Sequence, residues 1–147
     1  MSRGGRWRFE RPPDLPVPQP AEEAEPFFAA LRGGRLAIQR CTSCGALAHP
    51  PRAMCRQCQG VDFDWQTMSG NAEVYSYVVT HQAVHPALNG YTPMATVEVV
   101  LAEGPHLTTN LVDVPPDEIE IGMAVEVVFE DVGDGVVLPL FRRLPAG

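Results

Sequence analysis

The chain contains two short cysteine turns, Cys41-Thr42-Ser43-Cys44-Gly45 and Cys55-Arg56-Gln57-Cys58-Gln59-Gly60. Two cysteines separated by two residues can bind one metal ion, because a tight turn aims both sulfurs at one point. A glycine after each pair lets the backbone turn back, so that amides point at the thiolates. Four sulfurs from two such turns form a tetrahedral site that suits zinc, with iron as the main competitor. Because no position is left for water, the pattern predicts a structural zinc ion bound by Cys41, Cys44, Cys55 and Cys58.

The expected compartment decides whether the four cysteines are disulfides or metal ligands. All four cysteines lie within residues 41–58, and the first eight residues carry charge with no apolar stretch behind them, so we expect no secretory signal. Cytosolic thiols stay reduced, which favours metal ligands over two disulfides. The longest apolar runs, such as residues 96–101, fall short of the roughly 20 residues that a membrane-spanning helix needs. We therefore expect a cytoplasmic protein that does not enter a membrane.

The charge is distributed unevenly along the chain. Residues 1–60 contain nine arginines and five acidic side chains, whereas residues 61–147 contain two arginines and thirteen acidic side chains, giving balances of +4 and −11. Codon bias is one explanation for a chain whose cations are all arginine. The other is that the basic half binds an anion, because guanidinium groups match phosphate and carboxylate geometry. Arg40, Arg52 and Arg56 are also placed to offset the negative charge of four thiolates around zinc.

The region around the cysteines is predicted to be an arm, a helix and a small hairpin. Five prolines within residues 12–20 predict an extended arm that is either disordered or lies along a neighbour. The segment Glu22 to Arg32 begins with acidic residues, ends with an arginine and is followed by Gly33-Gly34, which predicts a short helix. Leu36 to Arg40 and Ala46 to His49 are predicted strands on either side of the first cysteine turn.

From residue 63 onward, the pattern is one of short strands separated by tight turns. Five or six such strands predict a small closed barrel, with Gly122 at a sharp bend. Strict alternation predicts that Val74 and Val78 share one face of their strand and that Tyr77 lies on the other. The predicted strands are Phe63 to Met68, Ala72 to Thr80, Met94 to Leu101, His106 to Val112, Ala124 to Glu130 and Val136 to Phe141.

No catalytic constellation is visible. The chain has no Gly-x-Ser-x-Gly elbow, no phosphate loop and no dinucleotide glycine pattern. His81 and His85 have the spacing of helical metal ligands, but Pro86 follows directly, so both are predicted to be loop histidines without a metal role. His49 and His106 are predicted to be packed or solvated. The sequence therefore predicts no catalytic residue and a chain that is not an enzyme by itself.

Several motifs in a fixed order carry a family resemblance. They are Phe27-Phe28-Ala29-Ala30-Leu31-Arg32-Gly33-Gly34, Arg40-Cys41-Thr42-Ser43-Cys44-Gly45, Pro50-Pro51-Arg52-Ala53-Met54-Cys55-Arg56-Gln57-Cys58, Ser69-Gly70-Asn71-Ala72-Glu73-Val74, Tyr91-Thr92-Pro93-Met94-Ala95-Thr96-Val97 and Gly122-Met123-Ala124-Val125. This order resembles the acyl-CoA-associated OB-fold family known as domain of unknown function 35, over about residues 20–145. Asn71 and Arg56 stand where the family usually has glycine and proline, and neither change touches the metal ligands.

The resemblance implies a fold and a role. The expected fold is mainly β: a Pro-rich arm at residues 1–20, a helix plus four-cysteine zinc ribbon at residues 21–66, and a five-stranded OB-type β-barrel at residues 67–147. The expected role is that of a non-catalytic accessory subunit for a thiolase-superfamily partner, namely a thiolase, an acyltransferase or a steroid side-chain aldolase. Such a subunit is required by a complex that forms or cleaves carbon–carbon bonds, and it helps to hold or channel the acyl-CoA.

Candidate contacts follow from that role. We expect a heterotetramer with the partner enzyme. The candidate contacts with the partner are the apolar residues Trp7, Phe9, Phe27 and Phe28. Coenzyme A carries phosphates, so its head needs cations: Arg52, on a stiff turn after two prolines, is the first candidate, and Arg35 is the second. Tyr91, in a loop expected at the barrel mouth, is the candidate to cover the acyl chain. Alternatively, the partner binds the whole cofactor by itself.

A single-stranded nucleic-acid-binding module is the other candidate function. Zinc ribbons and OB barrels both occur in such proteins. A barrel that grips single strands needs a basic groove, yet residues 61–147 carry a balance of −11. The charge therefore argues against a nucleic-acid partner.

Overall fold

A computed structural model of the protein describes residues 7–145. The helical elements are a 3-10 turn at Glu22–Ala24, which leads into helix α1 (Glu25–Arg32), and 3-10 turns at Pro86–Leu88 and Pro116–Glu118. The strands are β1 (Ala37–Cys41), β2 (Leu47–Ala48), β3 (Phe63–Thr67), β4 (Asn71–Thr80), β5 (Met94–Leu101), β6 (His106–Thr109), β7 (Ala124–Gly133) and β8 (Val136–Arg143). The mainly β prediction is confirmed. No helix within residues 7–145 is long and apolar enough to cross a membrane.

The eight strands form two antiparallel sheets. The first has the order β2-β1-β3 and carries the cysteine turns at one end. The second has the order β6-β5-β4-β7-β8. Its outer strand nearly closes on the segment after β6, because the Phe141 N–H donates to the Asn110 carbonyl at 3.1 Å and the Val112 N–H donates to the Phe141 carbonyl at 2.8 Å. The result is the expected five-stranded OB-type barrel, and Gly122 has the positive φ (92°) of a sharp bend.

One predicted face assignment is wrong. Val74 points into the core and is 1% exposed, but Val78 is 63% exposed and Tyr77 packs against the core. The pairing of β4 with β5 explains the change, because its register shifts between Val74 and Ser76. A β-bulge adds one unpaired residue and so exchanges the two faces of the strand beyond it.

The helix, the ribbon sheet and the barrel share one hydrophobic core. Leu31 of α1, Ile38 of β1 and Phe141 of β8 are all at most 1% exposed and belong to the same cluster. Phe27 also belongs to it and is 4% exposed. Phe27 was predicted as a partner contact, and that prediction is wrong, because the residue forms part of the apolar stripe that α1 buries. Phe28 is half-buried against the same core.

The arm lies along its own barrel. Between residues 7 and 20 it forms neither helix nor strand, as its prolines predict. The Phe9 N–H donates to the Val112 carbonyl at 2.8 Å, and Pro12 is fully buried. The Arg11 guanidinium donates to the carbonyls of Leu15 and Pro16. The first six residues of the predicted arm and the last two of the predicted barrel lie outside the described residues.

Candidate metal centre and two flanking cavities

The two cysteine turns bring four sulfurs to one point. The Cys41 and Cys58 Sγ atoms are 3.6 Å apart, as are those of Cys44 and Cys55, and all four lie within 4.8 Å of one another. Zinc–sulfur bonds of about 2.3 Å in a tetrahedron place the sulfurs about 3.8 Å apart. The arrangement therefore fits a zinc ion with no open ligand position, which is the geometry of a structural site.

The two turns use different residues to double back. Gly45 has φ 80°, and its N–H donates to the Cys41 carbonyl at 2.8 Å. In the second turn the left-handed residue is Gln59 (φ 62°), whose N–H donates to the Cys55 carbonyl at 2.9 Å. Gly60 was predicted to supply that turn, but it serves another purpose. A Cβ at Gly60 would lie only 3.2 Å from the Cys58 sulfur and 3.3 Å from the Cys41 sulfur, so the cluster needs glycine there for space.

Backbone amides prepare two of the cysteines for metal binding. The N–H of Cys44 lowers the pKa of the Cys41 thiol to about 7. The N–H of Cys58, followed by that of Gln57, lowers the pKa of Cys55, and the Gln57 nitrogen lies 3.3 Å from the Cys55 sulfur. Zinc binds the thiolate form, so amides that favour the thiolate also favour the metal.

The predicted arginine compensation takes a different form. Arg40 forms a bidentate ion pair with Asp64 on the neighbouring strand, at 3.0 and 2.6 Å. Its pKa is raised chiefly by that carboxylate and only slightly by Cys41. Arg40 was expected to offset the thiolates, but its main partner is Asp64, and through that pair it fastens β1 to β3.

A cavity of about 520 Å³ lies beside the metal centre, between the ribbon and the turn from β5 to β6. We call it the ribbon cavity. Arg52 and Arg56 line it, and neither guanidinium forms an ion pair with any residue in 7–145. The buried Gln39 fixes the main chain of Arg52 by accepting from its N–H at 2.9 Å and donating to its carbonyl at 2.8 Å. The cavity therefore presents two cations, one of them on a fixed backbone.

Two histidines in the same cavity acquire roles that the sequence does not reveal. His106 Nδ1 lies 2.5 Å from a Glu98 carboxylate oxygen, and its ring stands edge-on to Tyr75 at 4.6 Å. Burial lowers the pKa of His49 to about 4, so this ring is neutral near pH 7 and packs on Phe27 at 4.8 Å. The prediction that the lone histidines are packed or solvated holds for His49, which packs on Phe27. It did not include the contact between His106 and Glu98.

Tyr91 lines a second cavity, of about 280 Å³, between the arm and the barrel. We call it the arm cavity. It lies at the Met94 end of β5, whereas the ribbon cavity lies beyond the Leu101 end of that strand. Arg35 lines neither cavity and donates to the Thr67 hydroxyl at 3.0 Å. The structure thus separates the three residues proposed for acyl-CoA binding rather than gathering them into one pocket.

The loop histidines lie where the sequence places them. His81 and His85 are exposed, and His85 Nδ1 accepts from the Ala87 N–H at 3.0 Å. Within the described part of the chain, the four cysteines are the only cluster of three or more His, Cys, Asp or Glu side chains arranged to hold a metal.

Two family profiles match the chain in succession. Residues 28–64 match "ChsH2, rubredoxin-like zinc ribbon domain", and residues 65–130 match "ChsH2, C-terminal OB-fold domain". A relative described as a "DUF35 domain-containing scaffold protein" from Methanocaldococcus jannaschii is 36% identical over 111 residues, which cover 72% of this chain and 78% of the relative. The chain belongs to the DUF35 family.

Another relative places a similar DUF35 segment inside a longer protein. The chain is 40% identical over 135 residues to the "probable enoyl-CoA hydratase alpha subunit" of Thermomonospora curvata. The match covers 90% of this chain but only 42% of that protein, so the chain spans less than half of that relative's length.

A solved structure resembles the DUF35 chain over nearly its whole length. It is a chain of the "Ltp2-ChsH2(DUF35) aldolase", with a TM-score of 0.79 and 39% sequence identity. The match covers 86% of this chain and 98% of that chain. The two chains therefore share one overall fold.

Proposed function

We propose that the chain is an accessory subunit of an acyl-CoA enzyme complex, in which it binds a catalytic partner. The observation that carries the proposal is the likeness to a chain of the Ltp2-ChsH2(DUF35) aldolase, with 98% of that chain covered. The names of the relatives, an enoyl-CoA hydratase alpha subunit and a scaffold protein, support the same class of role. The only metal-ligand cluster in the described residues is a closed cysteine site, which also suits a structural role.

The finer proposal concerns the partner. We infer a thiolase-superfamily enzyme that pairs with this chain as a heterotetramer, as the family resemblance implies. Trp7 is 40% exposed on the arm, so it remains a candidate contact with the partner. Phe9 on the arm and Phe28 on α1 are half-buried. Exposed aromatic side chains are frequent anchors of protein interfaces.

The ribbon cavity is our candidate for the charged head of the acyl-CoA. Arg52 and Arg56 face it without an ion-pair partner in residues 7–145, and phosphate groups need such cations. A nucleic-acid function is disfavoured, because the barrel half carries a balance of −11 and a single-strand groove must be basic.

Co-purification tests the accessory role. We expect the tagged chain, expressed with a thiolase-superfamily protein of the same genome, to elute with it as one complex with two copies of each subunit. The isolated chain is expected to show no turnover of acyl-CoA substrates, because it presents no catalytic set. Multi-angle light scattering measures the stoichiometry of the complex, and a turnover assay measures the activity of the isolated chain and of the complex. Equal turnover by the lone chain and by the complex would contradict the proposal.

Substitution Arg52→Ala tests the head-group site. In the intact complex we expect acyl-CoA affinity to fall by about 1.5–3 kcal/mol, the usual scale for a hydrogen bond to a charged group. Isothermal titration with acetyl-CoA measures it. Arg142→Ala is the matched control, since Arg142 pairs with Glu126 on the barrel and lines neither cavity. An Arg52→Ala complex with unchanged affinity would assign the cofactor wholly to the partner.

A further inference from the structure

The four cysteines of the metal centre differ in accessibility. Cys41 and Cys55 are 1% and 6% exposed, whereas Cys44 and Cys58 lie at the surface. Each turn therefore begins with a buried cysteine and ends with an exposed one. Thiolate character and exposure together decide how readily a cysteine is oxidised. Because metal binding keeps every ligand sulfur in the thiolate form, the two exposed cysteines are the ones that an oxidant reaches first.

The sulfur pairs that lie 3.6 Å apart connect the two turns. One pair consists of Cys41 and Cys58, and the other consists of Cys44 and Cys55. Each pair thus combines a cysteine of one turn with a cysteine of the other, and an exposed sulfur with a buried one. Redox-sensing sites have the same two parts, an accessible cysteine that reacts with the oxidant and a resolving cysteine next to it that completes the disulfide.

We propose that the metal centre is also a reversible oxidation site for hydrogen peroxide. Cys58 and Cys44 react with the peroxide, and Cys41 and Cys55 resolve them. The products are the disulfides Cys41–Cys58 and Cys44–Cys55, which link the two turns, together with a free zinc ion. This inference goes beyond the proposed function and does not depend on it, since all four cysteines belong to this chain.

The formation of each disulfide consumes one peroxide. The exposed thiolate attacks a peroxide oxygen, the O–O bond breaks, and a sulfenic acid and a hydroxide ion form. The buried thiolate then attacks the sulfenic sulfur, the S–S bond forms, and the S–O bond breaks to release a second hydroxide. Two protons from the solvent convert the hydroxides to water. The two sulfurs lose two electrons, which the peroxide oxygens gain. Because zinc binds thiolates, two disulfides leave no ligand to hold it.

The structural change is confined to the cysteine turns. Strands β1 and β3 pair from Ala37 with Thr67 to Cys41 with Phe63, and Ile38 of β1 is 0% exposed in the shared core. These contacts do not use the sulfurs, so the oxidised chain keeps both sheets. A dithiol reductant then restores the thiolates by disulfide exchange.

The oxidation also alters the ribbon cavity. Cys41 and Cys55 line its wall, and Arg56, which stands between the two cysteines of the second turn, lines it as well. When Cys55 forms a bond to the first turn, the backbone that carries Arg56 moves with it. The redox state of the sulfurs is therefore coupled to the position of one of the two cations in the cavity.

Peroxide titration tests the release of zinc. We treat the full-length, zinc-loaded chain with hydrogen peroxide and follow free zinc with a chromophoric chelator. We expect about two peroxides to be consumed per zinc released, because two disulfides form. Reduction with dithiothreitol, its removal and the addition of zinc should restore the original metal content. In a parallel sample, glutathione at the same thiol concentration is the reference. Zinc that stays bound under conditions that fully oxidise the glutathione overturns the inference.

Peptide mapping identifies the bonds. Trypsin cleaves after arginine and so distributes the cysteines over three peptides: Cys41 and Cys44 share residues 41–52, Cys55 lies in residues 53–56 and Cys58 lies in residues 57–142. The proposed bonds join all three peptides, and fragmentation between Cys41 and Cys44 shows which of them carries each partner. Bonds within each turn leave residues 41–52 unlinked. That result, the exchanged pairing between the turns, or irreversible sulfinic acids in place of disulfides overturns the inference.

Cys58→His is the variant that separates the two bonds. Three cysteines and one histidine also form a zinc site, so the variant should retain the metal, but Cys41 has lost its partner. We expect peroxide to form only the Cys44–Cys55 bond in this variant, and only the Cys41–Cys58 bond in the matched variant Cys44→His. A bond within one turn in either variant contradicts the proposal. If neither variant binds zinc, the peptide map of the wild-type chain decides. None of these measurements involves the partner enzyme, so a negative result leaves the proposed function intact.

Discussion

Cys44→Ser is expected to empty the metal site and to disorder the cysteine turns of the ribbon. The wild-type chain should carry one zinc ion, and the variant close to none, because three sulfurs and a weakly binding hydroxyl no longer close the tetrahedron. Structural zinc sites contribute about 10–16 kcal/mol of apparent binding free energy in small zinc peptides, and that energy is folding energy. Elemental analysis gives the metal content, and hydrogen exchange over residues 41–60 reports the loss of order.

Ser43→Ala is the matched control for this substitution, since it lies in the same turn and leaves all four sulfurs in place. It should retain zinc. The loss of order should be confined to the cysteine turns between β1 and β3, because Leu36 and Ile38 lie in the core that they share with the barrel strands and should stay folded with them. A wild-type chain loaded with iron, or a Cys44→Ser variant with full zinc, would contradict this account of the site.

The metal site was predictable because its information is local. A pair of Cys-x-x-Cys turns fixes the ligands, their number and their chemistry within 18 residues, and strand patterns place a turn on each side. One detail of the metal site was nevertheless predicted wrongly, namely which residue lets the second turn double back. The sequence indicates glycine at the second turn, yet Gln59 takes the left-handed conformation and Gly60 makes room for sulfur. Which of two neighbouring residues bends is decided by packing, not by propensity alone.

The rest was less predictable because it depends on contacts between distant segments. A bulge in β4 exchanges the faces on which Tyr77 and Val78 lie. An alternating sequence pattern does not show where a strand contains such an extra residue. Phe27 and Trp7 are both apolar residues near the N-terminus, but α1 turns one into the core and the arm leaves the other half-exposed. Tyr91 and Arg52 lie at opposite ends of β5, and this separation depends on where the ribbon packs against the barrel, which no local pattern encodes.

Phe141→Ala is expected to cost about 3–5 kcal/mol of unfolding free energy, the range for truncating a buried phenylalanine. Phe141 is 0% exposed, and it lies where β8 closes the barrel and α1 packs against it. The main chain of Phe141 forms the hydrogen bonds to Asn110 and Val112 that close the barrel. Removing the ring therefore leaves a cavity next to the place where the barrel closes. Because total stability is typically 5–15 kcal/mol, this loss brings the chain near unfolding. Urea titration with zinc present measures it.

Phe129→Ala is the control, on the strand that pairs with β8. Phe129 is 39% exposed, so its truncation should cost under about 1 kcal/mol. The comparison also tests whether the ribbon and the barrel unfold together. In a Trp7→Phe background, Trp65 fluorescence reports on β3 of the ribbon sheet, and far-ultraviolet circular dichroism reports on all strands. One shared core predicts coincident transitions for both signals. If Phe141→Ala shifted the dichroism transition and left the Trp65 transition in place, the ribbon would be an independent unit and the shared core would carry no cooperative energy.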